Sequence, residues 1–272
     1  MHMKPEVSII IPCFKTEKTL EETLLSVYNQ KFDNWEALII NDGSPDNLEE
    51  IALNWERKDS RFKYYKRTNG GLGSARNFGI MKSEGDFILP LDSDNRIRDS
   101  FIQNAVEIME KESDIGVIYG DVVFFGERNE YIKVGEFNEY KMFYVNYIDA
   151  CALIRKAVFD AIGLYETNLP YQGHEDWEFW LRVIQSNYKF YYMKEFAFDY
   201  RVTNFSMSAK FTEEIVNKNT AYIISKHNLF YKSVYNQLYN DYLKLKNTPR
   251  LNQVFAELLI DVKLKLFRAL KR

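Results

Sequence analysis

The sequence predicts an α/β protein: a mostly parallel, Rossmann-like central sheet followed by a C-terminal helical extension. Three observations carry that prediction. Apolar segments opening at Val7, Trp35, Phe62 and Phe87 alternate with helix-patterned stretches and short loops, the signature of strand–helix–strand crossovers. The first, Val7-Ser8-Ile9-Ile10-Ile11-Pro12, is almost continuously apolar, as a strand covered on both faces must be. The residues that close these segments are polar, acidic or glycine-rich, and open parallel sheets bind ligands at the carboxyl ends of their strands.

Taken in order, the first strand gives way to a helix opening at Thr16 or Glu17, with Leu20, Leu24, Val27 and Tyr28 on one face. The spacing then predicts a strand over 35–40, a charged helix over about 46–58, a strand over 62–66 and a helix reaching about Lys82. A fourth strand runs through Phe87-Ile88-Leu89-Pro90-Leu91 into Asp92-Ser93-Asp94. Past residue 100 we expect a helix over 101–111, a strand over 116–125 and a strand with a short helix within 148–163. A loop then feeds a helix near 175–182, followed by an aromatic strand over 188–200. From about Phe211 the pattern is helical and Tyr-rich, with a break near Thr248-Pro249. Domain boundaries are expected at 1–210 and 211–272.

Composition sets outer bounds. In 272 residues, 46% are hydrophobic, enough for a packed core, and the net charge of −3 offers no basic field for nucleic acid. The 19 Tyr and 20 Phe suggest amphipathic grooves or subunit contacts. Cys13 and Cys151 have neither metal spacing nor a disulfide framework, which fits a reducing cytoplasm. No apolar run reaches the roughly 18–20 residues that span a bilayer.

The sharpest chemical signal is Asp92-Ser93-Asp94. Like charges closing a buried strand are costly unless a cation compensates them. Carboxylate oxygens suit magnesium or manganese, which share their coordination with substrate phosphates. The plain alternative is a strand end with a helix cap. Asn41-Asp42-Gly43-Ser44 reads either as a turn and cap or as a place where Asp42 accepts from a nucleobase or ribose. Gly70-Gly71-Leu72-Gly73 lacks the Lys-Ser/Thr of a phosphate-binding loop, yet Arg76, a turn further on, is in reach of a diphosphate. Glu175-Asp176 is either a pair of helix-dipole partners or a carboxylate base desolvated by Trp177, Phe179 and Trp180. His174 is a lone histidine and reads as structural or exposed. In Tyr200–Ser208, read as a loop, Arg201 and the serines are candidate phosphate ligands. An apolar stripe along 251–266, with late basic residues, suits packing on the domain or on a second subunit, or else a membrane surface.

In this order these motifs resemble the family 2 glycosyltransferases of GT-A fold, over roughly residues 5–208: Val7–Phe14, Asn41–Ser44, Gly73–Asn77, Asp92–Asp94 and His174–Trp177. The resemblance implies a nucleotide-sugar half over about 5–98 and an acceptor half over 99–210. Pro12, Phe14 and Asp42 would hold the base of a UDP-sugar, and Arg76 would lie near its phosphates. Asp92 would approach the ribose or sugar, and Asp94, with Asp92, the divalent manganese or magnesium. Asp176 would be the base on the acceptor hydroxyl, with Glu175 and Trp177 shaping the acceptor site. Arg201 and Ser206 would close over the diphosphate. The family inverts the anomeric centre. The implied protein is a cytoplasmic hexosyltransferase, alternatively peripheral at the inner face of a membrane. It would move a hexose or N-acetylhexosamine, of glucose type, onto a glycan, glycoprotein or lipid-linked acceptor, and would self-associate through its C-terminal helices. The rival readings are an inactive sugar-nucleotide-binding or assembly subunit and a sugar nucleotidyltransferase. The latter wants a basic, Gly-rich loop where Pro12-Cys13-Phe14-Lys15-Thr16 stands.

Overall fold

The computed structural model describes residues 4–204 and 206–245. In chain order the elements are β1 (Val7–Cys13), α1 (Leu20–Tyr28), β2 (Trp35–Asp42), α2 (Leu48–Lys58), β3 (Phe62–Arg67), α3 (Leu72–Lys82), β4 (Phe87–Pro90) and β5 (Arg96–Ile97). There follow α4 (Phe101–Lys111), β6 (Ile115–Gly126), β7 (Glu130–Ile132), α5 (Glu139–Met142), β8 (Leu153–Arg155), α6 (Lys156–Ile162), α7 (Glu175–Ile184), β9 (Lys189–Val202), α8 (Glu213–Lys226) and α9 (Asn228–Leu245).

The strands form one nine-stranded sheet in the order β3-β2-β1-β4-β8-β6-β9-β5, with β7 paired to β6. Strands β3, β2, β1, β4, β6 and β9 run one way, and β8, β5 and β7 run against them. The sheet is therefore mostly parallel. Every residue of β1 and β2 is buried, which accounts for the apolar runs Ile9–Pro12 and Ala37–Ile40; the polar residues just before them, Ser8 and Glu36, bond to each other. At the edge, β3 carries Lys63 and Lys66 and is only part-buried, as an edge strand exposed to pairing should be.

Helix α1 buries Leu20, Leu24 and Val27, and α4 buries Phe101, Ile102, Ala105, Val106 and Met109. These faces join Ile9, Ile11, Ile39 and Leu89 in one core. Truncating a fully enclosed leucine such as Leu24 to Ala costs about 2–5 kcal/mol. Helix α3 lies close on β1 and β2. A Cβ at Gly79 would meet Ile10 Cγ2 at 2.4 Å, so glycine is what permits that approach.

Strand β1 pairs with β2 on one side and β4 on the other. The chain order reverses there, at a switch point of the kind that opens a ligand crevice. The structure departs from expectation in local ways. Strand β4 ends at Pro90, so Asp92 and Asp94 lie in a turn beyond it. Arg201 belongs to strand β9, not to a loop. The short elements β5, β7 and α5 have no periodicity long enough to read.

Residues up to 167 and 172–210 make one compact unit, and 168–171 with the residues from 211 onward a second. In the second, Thr212 caps α8 by accepting from the Ile215 N–H. Asn219, fully buried, exchanges hydrogen bonds of 3.0 Å with the Tyr171 backbone in both directions. No helix among the described residues is long and apolar enough to cross a membrane. The expected break near Thr248-Pro249 and the stripe along 251–266 fall outside the described residues.

Candidate active site

Two adjoining clefts of the first unit hold most of the candidate residues. The smaller, about 280 Å³, lies at the carboxyl ends of β1, β2 and β4 and is lined by Pro12, Phe14, Asp42, Asp92 and Asp94, with Gln172 and Ser206. The larger, about 510 Å³, contains Asp176, Asn146, Asp149, Phe124 and Arg128. Tyr200 and Ser206 line both, so the clefts adjoin.

The first cleft is built around carboxylates. Asp42, at the end of β2, is buried and accepts from the Gly70 and Gly71 N–H groups at 3.1 and 2.8 Å. Arg67 pairs with it at 3.0 Å and also holds the Ser74 carbonyl and hydroxyl. Gly71 needs glycine because its φ is +87° at the start of α3. Asp42 thus shapes the Gly-rich turn while lining the cleft.

The turn carrying Asp92 and Asp94 is fixed from three elements. The Ser93 hydroxyl donates to the Pro12 carbonyl at the end of β1. From the N-cap of α1 and from α1 itself, the Thr19 and Thr23 hydroxyls donate to the Ser93 and Asn95 carbonyls. From β9, the Arg201 N–H donates to Asn95 Oδ1 and its Nε to the Asp94 carbonyl. The rest of the Arg201 guanidinium binds Glu22 and lies over the Phe125 ring. Arg201, expected on a diphosphate, instead clamps the acidic turn.

Arg76 is also engaged elsewhere. Its guanidinium, 3% exposed, bridges Asp92 at 2.6 Å and Glu175 at 2.7 Å. It ties the acidic turn to the start of α7 and lines neither cleft. Glu175 is buried behind it; burial pushes its carboxyl up, against the pull of Arg76. Asp94 has no ion-pair partner among the described residues. Burial first, then the Asp92 charge, pushes its carboxyl up to about 6.

Helix α7 is entered through His174, whose φ of +77° follows Gly173 at +88°. That sharp entry sets Glu175 inward and Asp176 into the larger cleft. Asp176 accepts from the Asn146 amide and the Trp177 N–H, both at 2.8 Å. Burial raises its pKa, partly offset by Arg76. Trp177, expected to face an acceptor, is buried and donates its indole N–H to the Met142 carbonyl at 2.6 Å. It anchors α5 rather than lining a cleft. The Ser206 hydroxyl donates to the Thr203 carbonyl at 3.1 Å.

The structure therefore brings Pro12, Phe14, Asp42, Asp92, Asp94 and Ser206 to one cleft and Asp176 to its neighbour. It sets Arg76, Arg201, Glu175 and Trp177 behind them. Sequence reasoning missed Asp149, Asn146 and Gln172, which stand alone in irregular segments where no motif marks them.

The acidic turn fits a hard divalent cation. No group of three or more His, Cys, Asp or Glu residues forms a self-sufficient metal site among the described residues. Asp94, with the Asp92 oxygen that Arg76 leaves free, offers two carboxylates, the set typical of a cation that takes its other ligands from water and phosphate.

Comparison with known proteins agrees with this architecture. The model of the family described as Glycosyl transferase family 2 matches residues 8–238. An uncharacterized glycosyltransferase of Rickettsia bellii is 30% identical over 187 residues, 67% of this chain and 27% of the relative. The putative glycosyltransferase EpsH of Bacillus subtilis is 37% identical over 111 residues, 41% of this chain and 32% of the relative. The matched region thus spans about a third or less of these relatives' length. The crystal structure of S. aureus TarS 1–349 in complex with UDP-GlcNAc superposes with a TM-score of 0.65 at 20% identity, covering 80% of this chain and 66% of that one. The fold is of the GT-A kind.

Proposed function

This chain belongs to glycosyl transferase family 2, and from that premise we propose that it is a metal-dependent, inverting transferase moving a hexose or N-acetylhexosamine from a UDP-sugar to an acceptor hydroxyl. The observation that carries the reading is the pair of adjoining clefts, one with Asp94 and the other with Asp176. The binding of UDP-GlcNAc by TarS supports a UDP-sugar donor. Acceptors of this class are glycans, glycoproteins and lipid-linked saccharides.

In this reading Phe14, 44% exposed beside Pro12, covers one face of the base. Asp42 and the Gly70–Gly71 turn form the floor beneath the nucleoside. The diphosphate needs positive charge, and no Lys, Arg or His is among the described residues lining this cleft. Asp94 and Asp92 would hold a manganese or magnesium ion, which when bound supplies charge stabilisation to the departing diphosphate. Arg201 and Glu22 keep the turn in place for it. Ser206, shared by both clefts, lies where the sugar would cross between them.

On the acceptor side Asp176 takes the proton of the attacking hydroxyl. Asn146 orients its carboxylate, and burial brings its affinity for protons closer to that a base needs near neutral pH. Attack on the face opposite the diphosphate, in a single displacement, inverts the anomeric centre. Glu175, held by Arg76, is a rigid support that couples Asp92 to the start of α7.

Self-association through the second unit belongs to the same proposal. Leu229, Tyr239 and Leu243 are exposed there at 80%, 44% and 45%. Release of UDP from a panel of UDP-sugars, with manganese and with chelator, tests the reading. Turnover of one donor in manganese alone supports it. Binding without turnover of any donor, with or without added glycans, would favour the assembly-subunit alternative.

A further inference from the structure

Asp149 lies in the larger cleft and no motif accounts for it. It sits between Ile148 and Ala150, in the irregular segment that leads into β8. One carboxylate oxygen, Oδ1, accepts the Cys151 N–H at 2.8 Å, which fixes the side chain. The other oxygen has no hydrogen-bond partner among the described residues. Asp176, in the same cleft, differs: Asn146 occupies one of its oxygens and the Trp177 N–H the other. Asp149 thus has one whole oxygen uncommitted, while each Asp176 oxygen, holding one donor, keeps a lone pair for the reacting hydroxyl.

The rest of the cleft is suited to a sugar. Phe124 and Tyr200 form an aromatic wall, their rings 5.4 Å apart. Arg128, which also lines the cleft, lies over Phe124 at 4.4 Å. An aromatic wall takes the C–H face of a sugar ring, and a few placed polar groups take its hydroxyls. An ionised or hydrogen-bonded carboxylate is the natural partner of a hydroxyl donor. Asp149 and Asp176 line the same cleft, so two carboxyl groups are available to two hydroxyls of one ring or chain.

We propose that Asp149 is an acceptor-binding residue that receives a hydrogen bond from the hydroxyl next to the one presented to Asp176, so that the enzyme selects sugar or polyol acceptors bearing adjacent hydroxyls. The proposal rests on the transferase reading above. Burial, with the Asp92 and Asp176 charges behind it, pushes the Asp149 carboxyl up to about 7.

The test uses the full chain, manganese and the UDP-sugar that it turns over. Basal UDP release reports the donor site. Stimulation by methyl glycosides with adjacent hydroxyls, and by their monodeoxy counterparts, reports the acceptor site. We expect diol-bearing glycosides to stimulate release and the monodeoxy analogues to fail. Asp149→Asn keeps the acceptor for the Cys151 N–H. It should raise the acceptor KM roughly tenfold to a hundredfold, the scale of one hydrogen bond to a charged group, and leave basal release within about twofold. Asp149→Ser serves as a second variant with the same expected split. The proposal is overturned if deoxy and parent glycosides stimulate equally, or if no diol-bearing glycoside stimulates. It is also overturned if Asp149→Asn lowers kcat at unchanged KM, which would mark a base. Loss of basal release in the wild-type chain would instead strike the transferase reading itself.

Discussion

Asp94 should cost the protein stability that Asn would restore. Its carboxyl holds a proton up to about 6 in the folded chain, against an ordinary 3.8. At about 1.4 kcal/mol per tenfold change, the ionised side chain is disfavoured by about 3 kcal/mol. Between those two values the folded chain binds more protons than the unfolded one. Stability therefore falls as pH rises from about 4 through 6 and stays low above it. Asp94→Asn keeps the shape and removes the charge. Allowing for the amide's own imperfect bonding, about 2 kcal/mol should be regained at pH 7.5 and roughly 0.5 kcal/mol at pH 5. For a unit of this size that is a rise in Tm of roughly 4–8 °C at the higher pH. Thermal melts of both proteins in chelator, at the two pH values, give the comparison. Manganese with UDP should raise the Tm of the wild-type chain and leave the variant unmoved. An equal effect of the substitution at both pH values, or a lower Tm at pH 7.5, would refute the reasoning.

Asp176→Asn should leave UDP binding intact and lower transfer roughly 10²–10⁴-fold, as loss of a general base does, read by UDP release with and without acceptor. The acid limb of the wild-type rate profile should lie above the ordinary carboxylate range, because burial raises the Asp176 pKa and the base acts ionised. Arg76→Met should destabilise by about 3–5 kcal/mol in denaturant melts, since Glu175, 4% exposed, is left as an unpaired buried carboxylate. Gly79→Ala should cost about 1–3 kcal/mol by forcing α3 off β1, where Ile10 Cγ2 stands 2.4 Å from the added carbon. Light scattering of the full chain should give an oligomer, and a chain ending at residue 210 should scatter as a monomer.

The parallel half of the fold was legible because long apolar runs and helical stripes determine it. Strand β1 read directly as buried, β2 read as a strand, and α4 was placed to the residue. Strands β5 and β7, of two and three residues, have too few side chains to show a period. The acidic residues of the site were visible as residue types, since a carboxylate at a strand end is conspicuous. Their partners were not. Arg76 and Arg201 looked like phosphate ligands, yet each is drawn to protein carboxylates that only the tertiary fold brings near, Glu175 from 99 positions away and Glu22 from 179. Trp177 looked like a binding surface, but an amphipathic helix with several aromatic residues buries some of them, and its indole found a carbonyl in α5. Asp149 was invisible because a lone acid between apolar residues has no pattern.

The central claim, that Asp94 and Asp92 hold a cation on which nucleotide binding depends, is tested most directly by calorimetric titration of UDP into the full chain with manganese and again with chelator. The account requires binding in manganese and a loss of at least about a hundredfold in affinity with chelator, reproduced by Asp94→Ala in manganese. UDP bound equally well in chelator would contradict it.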